Sequence, residues 1–433
     1  MREAVTAVFY HRASEKIFMI ERQDYLSVFP GYTAFPGGKV DKSDADHHSA
    51  LKREIKEELN FDLESEDVLN ISLLGHAVTP EFNPYRFKVF FYLIELKNEY
   101  AFEVDAGEAK ASFWKSAKEL DLAYEEGRLL AVPPVLSIIE FLSEQLDPGW
   151  QDDFKPRDFL LPHIEGREVP FIETICGVRQ FLPLSNTFPP ANRTNSFLLG
   201  EKERILVDPS PKNDEELEKF CRSLKKSGTI DAFFISHHHP DHHEFLPQLC
   251  ERFSKKVYMS EKCHRMITQK WGEDYLKDCE VTFLKEGDFV SDCYGEPLRV
   301  YEVPGHDEGQ LALAPLNLHW FFVGDLIQTV GTVVVGGEEG DMAKYFESLR
   351  RVISLRPKFI IPSHGISIGG VHKLEMTLKH REHREEQIKE LLSQQKSEDE
   401  ILSIIYEGLD ESLIRYAQKT IKAHIKKIRE ESR

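Results

Sequence analysis

The sequence predicts a layered α/β protein of two successive domains with a helical tail. Two local patterns and one bulk property support this. A histidine-rich run follows a short apolar segment in the second half of the chain, where an α/β fold usually places its site. A glycine-rich turn between apolar alternating segments and a glutamate-rich helix does the same in the first half. With 433 residues, 41% of them hydrophobic, the chain is long enough for more than one packed core.

The first domain is expected over residues 1-150. Residues 4 to 9 and 16 to 21 alternate as paired strands, and Phe35-Pro-Gly-Gly-Lys-Val-Asp41 forms the turn. The helix should run from about Asp46 to Leu59 and contains Arg53-Glu-Ile-Lys-Glu-Glu58. Glu54, Glu57 and Glu58 fall on one helical face. Their mutual repulsion would be relieved by a hard divalent cation such as Mg²⁺, which takes oxygen ligands. A helix from about Val132 to Leu146 closes the domain, and Asp147-Pro-Gly-Trp150 breaks it.

Residues 151-170 read as a linker, followed by a second domain over 171-375 and a tail over 376-433. Asp231-Ala-Phe-Phe-Ile-Ser236 reads as a buried strand leading into His237-His-His-Pro-Asp-His-His243, the pattern H-x-H-x-D-H. His306, Asp325 and His364 each stand beside Gly or Pro at the end of an apolar run. Imidazole and carboxylate in this combination suit zinc and similar divalent ions. His238 and His243 fall outside the ligand register and read as neighbours of the ligands. In the tail, His380 opens a charged helical segment and Ser397 with Glu400 forms a helix-start pair. Arg415, Lys419, Lys422, Lys426, Lys427, Arg429 and Arg433 make the last segment basic, either a solvated face or a phosphate-contacting one.

These motifs carry two resemblances. The glycine turn and Arg53, Glu54, Ile55, Glu57, Glu58 and Phe61 resemble the Nudix hydrolase box. Asn60 replaces the last glycine, and Gly38 lies one residue further from Arg53 than usual, which looks like the coenzyme A pyrophosphatase branch. The resemblance implies an α/β/α sandwich that splits a nucleoside diphosphate-linked compound with Mg²⁺ or Mn²⁺. Glu57 and Glu58 would bind metal, and Glu54 would bind metal or act as base. Arg53 would brace the loop, and a further ligand among Glu81, Glu103 and Glu108 stays open. Asn60 suits the left-handed end of a helix.

The second half resembles the metallo-β-lactamase superfamily, in the neighbourhood of the β-lactamase-like protein 2 branch, with thioesterases and an endoribonuclease among its relatives. An αββα sandwich with a winged-helix-like tail is implied. His237, His239 and His306 would hold one zinc ion, Asp241, His242 and His364 a second, and Asp325 would bridge. Asp241 and Asp325 would also serve catalysis. The Asp-His pair is followed by His243-Glu-Phe245, where the family often has glycines.

Three functions follow as expectations. One is a two-site metallohydrolase acting on an acyl thioester or phosphodiester and on a nucleotide-type diphosphate. Another is a single-stranded RNA endonuclease with an accessory nucleotide-sensing domain. The third is a nucleotide-regulated binding protein with one inactive domain. A net charge of −19 argues against a broad nucleic-acid or anionic-membrane surface. Six cysteines without a C-x-x-C pair read as free thiols of a cytoplasmic protein, and no apolar run has the length of a membrane span. Oligomeric state is not legible.

Overall fold

The computed structural model describes residues 1–81, 83, 86–145, 156–159 and 166–431. The expected helix end at Leu146, the break at 147–150, linker residues 151–155 and 160–165, and Arg433 lie outside the described residues. The chain divides into two compact units, Met1–Ile164 with Glu173–Cys176, and Glu165–Ile172 with Gly177–Arg433.

In the first unit the strand Arg2–His11 is central. It pairs in parallel with Phe87–Leu96 and antiparallel with Lys16–Arg22. Both faces are apolar because both are covered. Val5, Ala7 and Phe9 point to one side and meet Ala50, Leu51, Ile55 and Leu59 of the helix His47–Leu59. Val8 and Tyr10 point to the other and meet Leu120, Ile138 and Leu142 of the helices Ala117–Glu125 and Pro133–Gln145. The result is helix, sheet, helix. The segment Glu173–Cys176 joins this unit through the Thr174 carbonyl, which accepts from Ala131 N at 3.0 Å.

The glycine turn has a steric reason. Gly37, at φ 139°, lies against the Arg2–His11 strand, and a Cβ there would come within 2.2 Å of the Val5 carbonyl oxygen. A Cβ at Gly38 would meet Glu54 Oε2 at 2.2 Å. The turn therefore presses its backbone between the sheet and the glutamate helix, which only glycine permits at Gly37. Asp46 caps the helix start by accepting from Ser49 N at 2.8 Å. Asn60 ends it at φ 50° and ψ 28°, the left-handed conformation expected of it.

The second unit holds two sheets, of seven and six strands. Helices Asp214–Lys226, Leu246–Arg252 and Glu261–Trp271 cover the outer face of the first sheet, through Phe220, Leu249 and Ile267 on Leu206, Phe233 and Val257. Helix Met342–Leu355 covers the second through Tyr345, Phe346 and Leu349 on Phe321, Val323 and Ile360. Phe197 and Phe322, one from each sheet, meet edge-to-face at 5.7 Å. Burying all four layers needs strands apolar on both sides, and Trp320–Gly324 is buried at every position.

The tail is three helices, His372–Ser393, Glu398–Ile405 and Glu411–Glu431. The first begins before His380, because Leu374 is buried in the second core and anchors an earlier turn. Ser397 and Glu400 form a reciprocal capping box. Ile388, Ile401, Ile421, Ile425 and Ile428 make a small core of their own. The basic last helix is partly neutralised. Lys427 is buried and bonds Glu385 at 2.8 Å and Glu431 at 2.7 Å. Among the described residues no helix is long and apolar enough to cross a membrane.

Candidate metal centre

The histidine run starts where the parallel strand Ala232–Phe234 ends. Pro240 begins the short helix Pro240–His243, which turns Asp241 and His242 back beside His237 and His239. His306 follows the strand Glu296–Glu302, Asp325 follows Trp320–Gly324, and His364 follows Phe359–Pro362. The positive φ of Gly305, 136°, permits a close pass in which a Cβ would lie 2.3 Å from Tyr345 Cα.

All seven residues converge. Ligand atoms of His237, His239 and His306 lie within 4.8 Å of one another, as do those of Asp241, His242 and His364. A triad of His237, His242 and Asp325 joins the two groups. His239 Nδ1 is 3.0 Å from both His237 Nε2 and His306 Nε2. Asp325 Oδ2 lies 3.7 Å from His242 Nε2 and 3.6 Å from His306 Nε2, while Oδ1 lies 3.4 Å from His364 Nε2. Asp241 Oδ2 is 3.8 Å from His242 Nε2 and 3.5 Å from His364 Nε2.

The remaining ring nitrogens are held from behind. His306 Nδ1 bonds the Val334 carbonyl at 2.7 Å and His364 Nδ1 the Arg193 carbonyl at 2.9 Å. Asp208 does most. Its carboxylate accepts from Ser236 N and Ser236 Oγ, both at 2.7 Å, and from His242 Nδ1 at 2.9 Å. Ser236 Oγ in turn lies 2.9 Å from His237 Nδ1. Each of these contacts fixes a ring and turns Nε2 inward. Asp208 is not among the residues that the histidine and glycine motifs single out. The available signal was an acidic residue closing the apolar run Ile205-Leu-Val207.

The donor set fits divalent ions. His237, His242, His364 and Asp325 are buried, while His239 and Asp241 are partly exposed and mark the open side. His242 Nε2 and Asp325 Oδ1 are buried without a hydrogen-bond partner, a costly condition that a cation at the centre would remove. Burial drives His237 and His239 well below the ordinary imidazole range, toward the neutral form that ligates. Burial opposes charge on His242 as well, but Asp241, Asp208 and Asp325 outweigh it and hold its pKa well above that range.

The neighbours expected outside the ligand register are tied down. His238 Nδ1 pairs with Asp307, whose other oxygen accepts from Gly309 N at 2.6 Å. His243 is buried, with Nε2 3.0 Å from the His238 carbonyl and Nδ1 3.2 Å from the Tyr275 hydroxyl.

In the first unit Arg53 is the hub. It bonds Asp44 at 2.9 and 3.1 Å, Glu54 at 2.8 Å, Glu57 at 3.2 Å and the Lys39 carbonyl at 3.0 Å. This is the bracing expected of it. Glu58 accepts from Gly37 N at 2.9 Å, at the same glycine turn that Glu54 meets through Gly38. Among the described residues, Glu54, Glu57 and Glu58 do not form a three-ligand cluster of the kind seen in the second unit. Of the further candidates, Glu103 is engaged by Asn60 at 2.8 Å, and Glu108 is close enough to Glu58 for its charge to act there.

The family models decide the question of kind. The NUDIX domain model matches residues 1–132, and that of the metallo-beta-lactamase superfamily matches 189–364. The chain joins a NUDIX domain to a metallo-β-lactamase domain. Both are hydrolase families that bind divalent metals. The chain is 26% identical over 253 residues to the beta-lactamase-like protein 2 homolog of Drosophila melanogaster, covering 55% of this chain and 83% of that one. It is 32% identical over 162 residues to a hydroxyacylglutathione hydrolase of Bdellovibrio bacteriovorus, covering 37% of this chain and 57% of the relative, little more than half its length. A beta-lactamase domain protein from Burkholderia ambifaria shares the fold, with TM-score 0.52 at 20% identity, over 60% of this chain and 88% of that one.

The NUDIX domain carries a measurable electrostatic cost. Burial pushes the Glu58 carboxyl up to about 7, against an ordinary 4.5, with the Gly37 amide opposing and Glu54 and Glu108 adding to the rise. A carboxyl raised on folding binds more protons folded than unfolded between those values. Stability of the metal-free protein should therefore fall as pH rises from about 4.5 to 7 and then level off. Glu58→Gln removes this titrating carboxyl. Denaturant titration without metal should show the variant ahead of the parent at pH 8 by up to about 3 kcal/mol, and the gap closing by pH 4.5.

Proposed function

We propose that the metallo-β-lactamase domain hydrolyses an ester-type bond, with a thioester as its class, using two zinc ions. We further infer that the NUDIX domain splits a diphosphate with Mg²⁺ or Mn²⁺. The observation that carries the first part is the pair of ligand triads sharing one centre, with Asp325 between them and two buried atoms unsatisfied. His237, His239 and His306 would hold one ion, Asp241, His242 and His364 the other, and Asp325 both. Divalent ions in such a site acidify a water molecule and polarise the scissile group. Imidazole and carboxylate ligands favour zinc there, whereas the all-oxygen set Glu54, Glu57 and Glu58 favours Mg²⁺ or Mn²⁺.

The protein's own groups do the rest. Asp241 stands on the open side, where its carboxylate can orient the attacking water, and Thr194 Oγ1 steadies it at 3.4 Å. In the NUDIX domain Glu54, raised by burial, is the base candidate, and Arg53 holds it in place. The thioester reading is supported by the relative named for hydroxyacylglutathione, whose acyl group is carried on sulfur. A coenzyme A thioester would offer both bonds, thioester and diphosphate, in one molecule.

The similarity to a beta-lactamase-like protein 2 homolog and the basic last helix favour a second reading, single-stranded RNA cleavage with an accessory NUDIX domain. Pairing of Lys427 inside the tail and the net charge of −19 weigh against it. Hydrolysis of an acyl-CoA and of a single-stranded RNA, measured side by side, separates the two. Thiol release lost only in Asp325→Asn, with diphosphate cleavage lost only in Glu57→Gln, is the expected result. RNA cleavage lost in Asp325→Asn, with acyl-CoA untouched, would replace it with the nuclease.

A further inference from the structure

Two cysteines expected to be unrelated free thiols lie together beside the metal-bearing turn. Cys250 is buried in the helix Leu246–Arg252, and Cys279 lies partly exposed just before the strand Glu280–Phe283. Their Sγ atoms are 3.1 Å apart. Closing to a disulfide needs a further approach of about 1 Å.

Both elements also act on the metal loop. Leu246–Arg252 continues the chain from Pro240–His243, with Phe245 between at φ 64°. The segment leading to Cys279 contains Tyr275, whose hydroxyl donates to the His243 carbonyl at 2.9 Å and lies 3.2 Å from His243 Nδ1. Trp271 packs against Tyr275 in a tilted pair at 5.1 Å and meets the His243 ring edge-to-face at 5.8 Å. A bond between Cys250 and Cys279 would thus clamp from both sides the turn that carries Asp241 and His242.

We propose that Cys250 and Cys279 form a reversible dithiol–disulfide pair that stiffens the metal-bearing turn when oxidised. The co-reactant is a small organic disulfide of the glutathione type. Cys279 thiolate attacks one sulfur of that disulfide, forms a mixed disulfide and releases one small thiolate. Cys250 thiolate then attacks the Cys279 sulfur and releases the second. The two cysteines lose two electrons and two protons, and the small disulfide becomes two thiols. Cys279 is the attacking group because it is the more exposed. The hydrogen bond between the thiols lowers the pKa of Cys279 and raises that of Cys250, which burial raises further.

The test treats the full chain with oxidised glutathione, then blocks remaining thiols, digests and maps the peptides by mass spectrometry. A peptide pair joined through Cys250 and Cys279, removed by dithiothreitol, with the loss of two thiols relative to the untreated chain, is expected. Cys279→Ser and, separately, Cys250→Ala should abolish the linkage while keeping the parent's circular dichroism. Hydrogen exchange of the turn 240–249 should slow several-fold in the oxidised chain and stay unchanged in glutathione-treated Cys279→Ser. A mixed disulfide that never resolves, or a bridge to Cys221 or Cys263, would overturn the pairing. A Cys250–Cys279 bridge with unchanged exchange at 240–249 would overturn the coupling to the metal loop.

Discussion

Asp325→Asn should lower hydrolysis by the metallo-β-lactamase domain by roughly three orders of magnitude, while leaving diphosphate cleavage by the NUDIX domain intact. The reason is charge. The Asp325 carboxylate sits within 3.4–3.7 Å of Nε2 atoms of His364, His306 and His242. Burial works to raise its pKa, and the imidazoles of His364 and His242 overcome it and hold it well below the usual carboxylate range. An amide keeps the shape and removes the negative charge on which both ligand groups converge. Losing one partner of a buried charged set costs about 3–5 kcal/mol, which corresponds to that rate loss if it is felt in the transition state. Steady-state rates on both substrates, with zinc content measured on the same samples, check it. An Asp325→Asn variant as active as the parent would remove Asp325 from the centre.

Asp208→Ala should be nearly as severe, though Asp208 lies behind the ligand layer. It is fully buried and holds Ser236 N, Ser236 Oγ and His242 Nδ1 at 2.7–2.9 Å. Its backbone adopts φ 46°, an uncommon conformation for a residue other than glycine. Truncation leaves the Ser236 amide without its acceptor and frees the His242 ring. A loss of about 3 kcal/mol or more in unfolding free energy is expected, together with about 10–100-fold weaker metal binding. Denaturant titration and zinc competition with a chelator read the two effects. Asp208→Asn keeps the size and polarity and should recover part of the stability but less of the metal affinity, because an amide is a weaker acceptor for His242. Full recovery of zinc affinity by asparagine would show that Asp208 acts through packing alone.

What the chain discloses in its letters and what it withholds differ by distance along the sequence. His237, His239, Asp241 and His242 were legible because one strand end and one short turn bring them together. His306, Asp325 and His364 were legible because each ends an apolar run beside Gly or Pro. Asp208 was not, because its role depends on the parallel pairing of Ile205–Val207 with Ala232–Phe234, which sets its carboxylate beside Ser236. The Val334 and Arg193 carbonyls that orient His306 and His364 carry no side-chain signature at all. Arg53 could be read as a brace because its partners lie within a few turns of it. Lys427 could not be read as buried, since Glu385 comes from a different helix. The same holds for Cys250 and Cys279, whose contact is made by two elements separated in sequence by the helix Glu261–Trp271.

A two-ion centre in the histidine and aspartate cluster has a stoichiometric consequence. Zinc bound per chain, measured by elemental analysis after chelation and reloading, tests it most directly in the parent and in His242→Ala. Two zinc ions in the parent and one in His242→Ala is the predicted result. A parent chain that retains no zinc, or a His242→Ala variant that still retains two, would contradict it.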